Sequence, residues 1–533
     1  MEAFAARPVP RAREPLLVAA LAAVSATLVA TLAPPGGDSA AHLYRTELLR
    51  DGVALWDNYW YGGQYPLASY SLLYYLPAAL VGNVVLVAAA VVVSAALFAA
   101  IAKQEWGAAA RWPARLFGVL AAGPLFTGTY SYALGLAAAL GTLRLFQTGH
   151  RALAIGAAAV ALGFSPLAFA FLLVALVAVA VAHRPGARSA LLVAAALVAI
   201  AAVQAATILL FPAEGRYPFS PLSLAAVLAV SGLGAALAFR SAQGRVLGAF
   251  FVTWALVGLL AFAIPSPFGD NLTRLRALVL PLVLIAAALA RFRPRAVAVA
   301  AIAVALVYNL GPDVSALPKR VDDAPAATAA FWAPALAFLA ERSTPDYRVE
   351  VVPTFGHWEA YRIPRGGFPL ARGWYRQLDI VENPELYRDP LEPGEYRAWL
   401  RRMAVRYVLL PDVRLGPMGA EREAELLRSG RAGLSERGRL RGWTVYELED
   451  PTPLLTGPGR ARIDAFEHER VVAHVARPGT YRLRVRHTPY WHVSAGEVCV
   501  SRAADGTTMV RATHAGRFEL TLSLLARGRS CPT

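Results

Sequence analysis

Long apolar blocks fill the first 311 residues, and a chain built this way has few folds open to it. The blocks run near 16–33, 77–101, 115–146, 152–182, 189–211, 222–240, 245–264, 274–291 and 296–311. A bilayer core demands about 20 apolar residues per helix and leaves no backbone polar group unpaired. The blocks therefore read as membrane-spanning helices. Composition agrees, with 57% of the 533 residues hydrophobic and 17% charged, too apolar for an ordinary soluble chain. Beyond residue 311, Arg, Glu, Asp and Pro become frequent. A soluble part of roughly 220 residues is expected there.

Charge sets the expected topology. Basic residues cluster at Arg7/Arg11/Arg13, Lys103/Arg111/Arg115, Arg144/Arg151, Arg184/Arg188, Arg240/Arg245 and Arg291/Arg293/Arg295. The positive-inside rule puts such short loops in the cytoplasm. If all of them lie there, blocks 115–146 and 152–182 must each cross and return. Both hold a turn for doing so, GPLFTGTYSYALG and GFSPLA. Eleven spans follow, with a cytoplasmic N-terminus. Each hairpin arm would have about 15 residues, short of the usual ~20, so nine spans with Arg144 to Arg151 outside is the alternative. Either way the loop 34–76 and the C-terminal part share the extracytoplasmic side. The N-terminal run could pass for a secretory signal, but further spans follow and an uncleaved first helix is expected.

The net charge of +16 is almost entirely Arg, since Lys103 and Lys319 are the only lysines. Much of it sits in the inter-span loops, and no basic helix, zinc pattern or RNA-binding signature accompanies the rest. No nucleic-acid partner is expected. The sequence lacks GxxxxGK[ST], GxGxxG after a strand, HExxH and GxSxG, the marks of nucleotide, nicotinamide, zinc and serine chemistry. The spans offer little polar beyond Gln204, which speaks against an ion-coupled transporter.

Polar chemistry gathers instead in the first loop, GGDSAAHLYRTELLRDGVALWDNYWYGGQYP. Asp38 and His42 are four apart and would share a helix face. Asp38 could simply cap that helix, worth about 1 kcal/mol. The sharper reading makes it a general base at the membrane boundary, with His42 orienting it or sharing a proton or a metal ion. Asp57, Asn58, Trp60, Tyr61 and Gln64 combine aromatic faces with amides and an acid around a Gly62-Gly63 turn, surroundings that suit a sugar. An interfacial aromatic belt is the plainer account of those rings. In the later loop IPSPFGDNLTRLR, Arg274 and Arg276 start a span on the side that disfavours Arg. They either snorkel or bind a phosphate at the membrane surface. Asn271 begins a short glycosylation-like triplet, and is also a candidate sugar contact.

The soluble part divides in two. Residues 312–455 read as a small α/β region, with a buried strand VRYVLL, a helix AEREAELLRSG and a strand WTVYELED. Its loop-rich stretch from residue 356 carries His357, Trp358 and Glu359, candidates for closing over the site or holding an acceptor. From 456 to 533 the pattern alternates with period two, as in YRLRVRH, EVCVSR, TTMVRAT and FELTLSLL, which predicts an antiparallel β-sandwich. Cys499 and Cys531 lie in this exported part. A disulfide is permitted there, though Cys531 is so close to the end that a free thiol is an equal alternative.

The first loop, GGDSAAHLYR…LWDNYWYGGQYPLASYSLLYYLPA, resembles polytopic glycosyltransferases of the GT-C fold, and within them bacterial membrane proteins related to YfhO. The turns GPLFTGTYSYALG and GFSPLA, the loop FGDNLTRLRALVLPLV and the exported LARGWYRQLD…YRAWLRRMAVRYVLLPD fit the same pattern. The resemblance implies transfer of a sugar from a polyprenyl-phosphate donor to an envelope glycan, lipid or protein, with inversion, at the bacterial cytoplasmic membrane. It implies that Asp38 is the catalytic base, with His42 at the second polar position of the motif. A divalent cation is compatible with it, on Asp38 and His42 if anywhere. Later outer loops of such enzymes often carry a further acid, and TGTYSYA has none. A non-catalytic glycan- or lipid-binding membrane protein of the same fold is the second reading. Nothing in the sequence addresses oligomeric state.

Overall fold

The computed structural model describes residues 13–68, 70–212, 215–374, 376–417, 419–525 and 531; Arg7 and Arg11 lie outside them. The chain forms two compact units. The first comprises residues 1–42, 69–212 and 216–318, and the second 43–68, 213–215 and 319–533.

The first unit is helical. Its helices are α1 (Arg13–Leu32), α2 (Ser39–Arg50), α3 (Tyr75–Val81), α4 (Asn83–Trp106), α5 (Arg111–Leu120), α6 (Gly123–Thr127), α7 (Tyr130–Gln147), α8 (Arg151–Phe164), α9 (Pro166–His183), α10 (Ala187–Leu210), α11 (Pro221–Ala238), α12 (Arg245–Ala263), α13 (Arg276–Leu289) and α14 (Arg295–Ala327). Helix α2 starts in this unit and ends in the second, and α14 likewise runs past the boundary. Among the described residues, eight helical segments are long and apolar enough to cross a membrane.

Both long apolar blocks break where the turns were expected. Gly128 ends α6 in the left-handed region, and the chain re-enters as α7. Ser165 is extended between α8 and α9, caps α9 by accepting the Ala168 N–H, and is followed by a proline in the first turn. Such an N-cap and N1 proline start a helix without unpaired donors. Contacts show that each break reverses the chain. Arg115 pairs with Glu14, Arg144 reaches Gln104 and His183 pairs with Glu105, so these basic loops share one end of the bundle. At the other end Asp38 N–H donates to Thr127, Ser71 to Phe164, and Tyr217 N–H to Ser266. The chain thus turns back within both long blocks. Two helices are short, α5 with 10 residues and α8 with 14. Short arms are accommodated because α5 is continued by α6, and because α8 packs on α7, α9 and α10.

In the second unit, α15 (Ala329–Arg342), α16 (Glu359–Arg365), α17 (Arg376–Glu382), α18 (Pro393–Arg402) and α19 (Ala420–Arg428) accompany a sheet of β1 (Arg348–Val351), β2 (Val405–Pro411), β3 (Leu434–Leu440) and β4 (Trp443–Leu448). The order is β1-β2-β4-β3, with β1 and β2 parallel and the other pairs antiparallel. VRYVLL is the buried β2, and its Val405, Val408 and Leu410 pack with Tyr396, Trp399, Ala424 and Leu427. The remaining strands, β5 (Leu455–Thr456), β6 (Ala461–Phe466), β7 (Arg470–Val475), β8 (Gly479–Arg486), β9 (Trp491–Ala495), β10 (Val498–Arg502), β11 (Thr507–Ala512) and β12 (Gly516–Leu522), form sheets β10-β11-β8-β5 and β6-β7-β12-β9. All their pairings are antiparallel. The period-two segments supplied β8, β10, β11 and β12, alternating buried and open residues as a half-buried sheet requires. Cys499 and Cys531 are disulfide-bonded across 32 residues, a closure worth about 3–4 kcal/mol.

Buried charge holds this unit together. Arg372 lies between Glu350 and Glu423, whose side chains are 0% and 2% exposed. Its Nε donates to Glu350 at 2.9 Å, and the Tyr396 hydroxyl donates to Glu423 at 2.8 Å. One guanidinium cannot neutralise two desolvated carboxylates. Burial, opposed by Arg372 and reinforced by Glu423, raises the Glu350 carboxyl far above its ordinary range. A carboxyl raised in the folded state favours folding least at high pH. Relative to Glu350→Gln, the wild type should lose stability as pH rises above about 4.3, by at most ~1.4 kcal/mol per pH unit, until the folded pKa is passed. Melting curves of the full-length proteins in detergent between pH 5 and 9 check this; parallel curves would refute it.

Candidate active site

Two glycines fix the start of the site. The chain at Gly36 crosses the chain at Gly128 so closely that a Cβ on Gly36 would lie 2.3 Å from the Gly128 nitrogen. A Cβ on Gly128, at φ +83°, would lie 2.6 Å from the Ser39 nitrogen. The segments GGDS and TGTYSY, distant in sequence, are thereby pressed together by backbone, and the Asp38 N–H donates to the Thr127 carbonyl at 3.2 Å. Asp38 sits just before α2. It accepts the Arg274 guanidinium at 2.9 Å, with both side chains about one-fifth exposed. The candidate base and a candidate phosphate ligand are therefore partners of each other.

His42 is not part of that pair. Its ring is 1% exposed and surrounded by tyrosines, with centroids 5.7 Å from Tyr70, 5.1 Å from Tyr74, 5.9 Å from Tyr75 and 5.2 Å from Tyr130. The Tyr75 hydroxyl lies 3.3 Å from His42 Nδ1. Tyr130 stacks on His42 and shares a 2.9 Å hydrogen bond with Ser39. The four-residue spacing brought Asp38 and His42 to one helix turn, but their side chains part, one to Arg274 and one into the tyrosines. Among the described residues, no group of three or more His, Cys, Asp or Glu side chains is arranged to hold a metal ion.

Arg276 pairs with Asp313 at 2.7 Å, and the Asn309 amide donates to the Arg276 carbonyl. Asp270 accepts the Ser220 N–H. Two acids lie near these groups: Asp270, from FGDNLTRLR, and Asp313, from GPD in the middle of α14. Asn271 bonds weakly to its own turn, at 3.4 Å from the Pro267 carbonyl, and meets none of these groups. Tyr70, Tyr74, Tyr75 and Tyr130 went unmarked in the sequence, although ASYSLLYYLP and TYSY are conspicuously tyrosine-rich.

An apolar cleft approaches this end. It is lined by α4, α7, α9, α12 and α13, including Phe98, Leu140, Phe171, Phe250 and Leu278, and it reaches Leu275, the residue between the two arginines. Along α9 the lining runs from Ala168 to His183, roughly 22 Å at 1.5 Å per residue.

The aromatic cluster of the first loop belongs to the second unit, and its expected role as a sugar platform is corrected by its burial. Asp57 and Gln64 exchange backbone hydrogen bonds at 2.8 and 3.0 Å around the left-handed Gly62 and Gly63. Asp57 is fully buried and accepts from Tyr44 at 3.0 Å, from the Tyr59 N–H at 2.9 Å and from His468 at 2.8 Å. Asn58 accepts from Trp56 and donates to the Glu467 carbonyl. Trp60 is 0% exposed, stacks on Tyr44 and donates to the Ala360 carbonyl. Tyr61 and Gln64 are buried as well. A hairpin rich in aromatic rings forms core as readily as a platform, and local sequence does not distinguish the two.

His357 and Glu359 are brought together. His357 Nδ1 lies 3.0 Å from Glu359 Oε1, while Glu359 Oε2 accepts the Thr354 N–H and hydroxyl. Trp358 is buried.

No family model and no curated protein matches the sequence. Among solved structures, the chain is similar to the arabinofuranosyltransferase AftD from mycobacteria, at 17% identity and a TM-score of 0.46 over 88% of this chain. It covers 41% of the AftD chain, about two-fifths of its length. It is also similar to ArnT from Cupriavidus metallidurans bound to undecaprenyl phosphate, at 13% identity and a TM-score of 0.38, over 83% of this chain and 99% of that one.

The glycine crossing is testable by itself. Gly128→Ala forces a β-carbon into the Asp38–Ser39 backbone at an unfavourable φ and should destabilise by roughly 2–4 kcal/mol. Gly123→Ala, with nothing within 4 Å of its Cβ, should leave the melting temperature unchanged. Equal melting of the two variants would show that the crossing is not tight.

Proposed function

We propose that the protein is a GT-C-type membrane glycosyltransferase that takes a sugar from a polyprenyl-phosphate donor and passes it to an envelope acceptor. The observation that carries this reading is the Asp38–Arg274 ion pair, with Leu275, the residue next to Arg274, on the lining of an apolar cleft. A lipid-borne donor needs those two things together, a slot for isoprenoid carbon and a cation where its phosphate meets water. The basic loops gathered at the opposite end support placing the Asp38 end outside the cytoplasm.

In this scheme the isoprenoid lies in the cleft and the phosphate reaches Arg274, which stabilises the charge that grows as the glycosidic bond breaks. Phosphate and Asp38 compete for one guanidinium. Donor binding therefore weakens the ion pair and frees the carboxylate to accept the proton of the attacking hydroxyl. Arg276 keeps its own acid, Asp313, and serves as a second cation beside the phosphate. His42, held among tyrosines, positions the first turn of α2 and so the backbone that carries Asp38. Inversion at the anomeric carbon is part of the proposal, as is the link to YfhO-related proteins.

The closed Asp38–Arg274 pair also favours a second reading, in which the protein binds lipid or glycan without chemistry. One experiment separates them. Full-length protein in nanodiscs is given polyprenyl-phosphate-linked pentose or hexose, and release of polyprenyl phosphate is followed. Under the transferase reading, Asp38→Asn lowers turnover at least 100-fold with donor binding retained, and Arg274→Gln weakens donor binding at least tenfold. Equal turnover by wild type and Asp38→Asn would remove Asp38 as base. Donor binding without turnover by the wild type, across donors and acceptors, would leave the binding reading.

A further inference from the structure

The apolar cleft of the first unit has a second end, away from Leu275. Its volume is about 190 Å³, where a single water needs roughly 10–15 Å³. Spread along the roughly 22 Å of α9 that line it, this is a slot for one hydrocarbon chain. At the far end the lining turns polar, with Gln104, Glu105 and Trp106 from α4, Gln147 from α7 and His183 from α9. Three features of that end go beyond what a chain alone requires.

First, two donors there have no acceptor. The Gln104 Nε2 and Trp106 Nε1 atoms are buried without a hydrogen-bond partner, and both residues line the cleft. Unpaired N–H groups are costly wherever lipid replaces water, so their place on a cavity wall points to an occupant with acceptor oxygens. Second, a cation stands behind them. Arg144 Nη1 donates to Gln104 Oε1 and, at 2.8 Å, to Gln147 Oε1. Both acceptors are amide oxygens, and no carboxylate pairs with Arg144 among the described residues. By holding the Gln104 oxygen, Arg144 leaves the Gln104 amide nitrogen for another partner. Third, the acid on this lining, Glu105, already pairs with His183 at 3.4 Å. An anion entering here meets donors and a guanidinium rather than a bare carboxylate.

We propose that this end binds the phosphate of an anionic glycerophospholipid, one acyl chain of which lies in the slot. The phosphate oxygens accept from Gln104 Nε2 and from Arg144, and an ester or glycerol oxygen accepts from Trp106 Nε1. A guanidinium beside neutral donors suits a phosphate. Arg184 and Arg245, next in sequence to the lining residues His183 and Val246, favour a lipid of net negative charge. A chain of one leaflet spans about half of the ~30 Å hydrocarbon core, and two such chains do not fit end to end in the slot. The phospholipid and an isoprenoid from the Asp38 end therefore exclude each other. That consequence rests on the donor's isoprenoid using the cleft, whereas the phosphate site does not.

The test titrates full-length protein in detergent with dioleoyl phosphatidylglycerol, dioleoylglycerol and undecaprenyl phosphate, with bound lipid counted by native mass spectrometry. Phosphatidylglycerol should bind at least tenfold tighter than dioleoylglycerol, which lacks the phosphate. Arg144→Gln should remove that preference. Trp106→Phe, which keeps a ring and loses one N–H, should weaken phosphatidylglycerol about three- to tenfold. Arg188→Gln, at an exposed position of the same end and off the lining, should bind phosphatidylglycerol as the wild type does, and so should Arg274→Gln. All variants are measured below their melting temperatures. Undecaprenyl phosphate should displace phosphatidylglycerol from the wild type, and its own binding should fall in Arg274→Gln but not in Arg144→Gln. Equal binding of the two glycerolipids, an unchanged preference in Arg144→Gln, or an equal loss in Arg188→Gln would overturn the proposal. So would both lipids on one protein at once, which removes the acyl chain from the slot. Loss of undecaprenyl phosphate in Arg144→Gln would overturn it too, by making this end the carrier's own site. If undecaprenyl phosphate does not bind while phosphatidylglycerol behaves as expected, the transferase reading fails and this site stands.

Discussion

A guanidinium at the mouth of an apolar helix bundle must find a counter-charge, and the Asp38–Arg274 pair answers that requirement. Removing either partner would leave a largely desolvated charge behind, which is costly in proportion to its burial. The pair is possible only because two glycines let the chain before α2 cross the chain before α7 at backbone contact distance. That crossing gathers the ends of α1, α7 and α13 at one place. Arg276 and Asp313 repeat the device one turn further on. The result is an end that is polar yet close to neutral, each cation held by an acid of its own.

The second unit solves a different problem by related means. Its core contains an arginine between two carboxylates, a fully buried Asp57 and several orphaned oxygens. Asp57 is stabilised by three donors from Tyr44, Tyr59 and His468, which is how a buried acid is made tolerable. Arg348 is buried too. It donates to the carbonyls of Met403 and Arg484 at 2.9 and 2.6 Å, joining the α/β sheet to the sandwich. Burial near Arg484 pulls its pKa down to about 9. These interactions specify how the pieces of the unit fit, since apolar contacts alone would tolerate several registers.

Much of this architecture was legible in advance. The turns inside blocks 115–146 and 152–182, VRYVLL as a buried strand, AEREAELLRSG as a helix and the alternating strands of the sandwich all came from local pattern. Strand β3 did not, because LSERGRL is half-exposed at a sheet edge and carries no apolar alternation. Contacts decide how the long blocks fold. Gln104 with Arg144 and Glu105 with His183 hold three basic loops at one end, so the chain must return within each long block.

The site was legible in its residues but not in its pairings. Sequence by itself determined that Asp38, Arg274 and Arg276 would sit at the ends of apolar helices, because lipid expels charge and helix period is local. It equally determined that the aromatic hairpin would turn at Gly62-Gly63. Only the tertiary structure decided that Asp38 meets Arg274, 236 residues away, that His42 turns into tyrosines, and that Trp60 becomes core. Those outcomes depend on which segments cross, and a crossing is set by the fit of backbone against backbone, which no local pattern encodes.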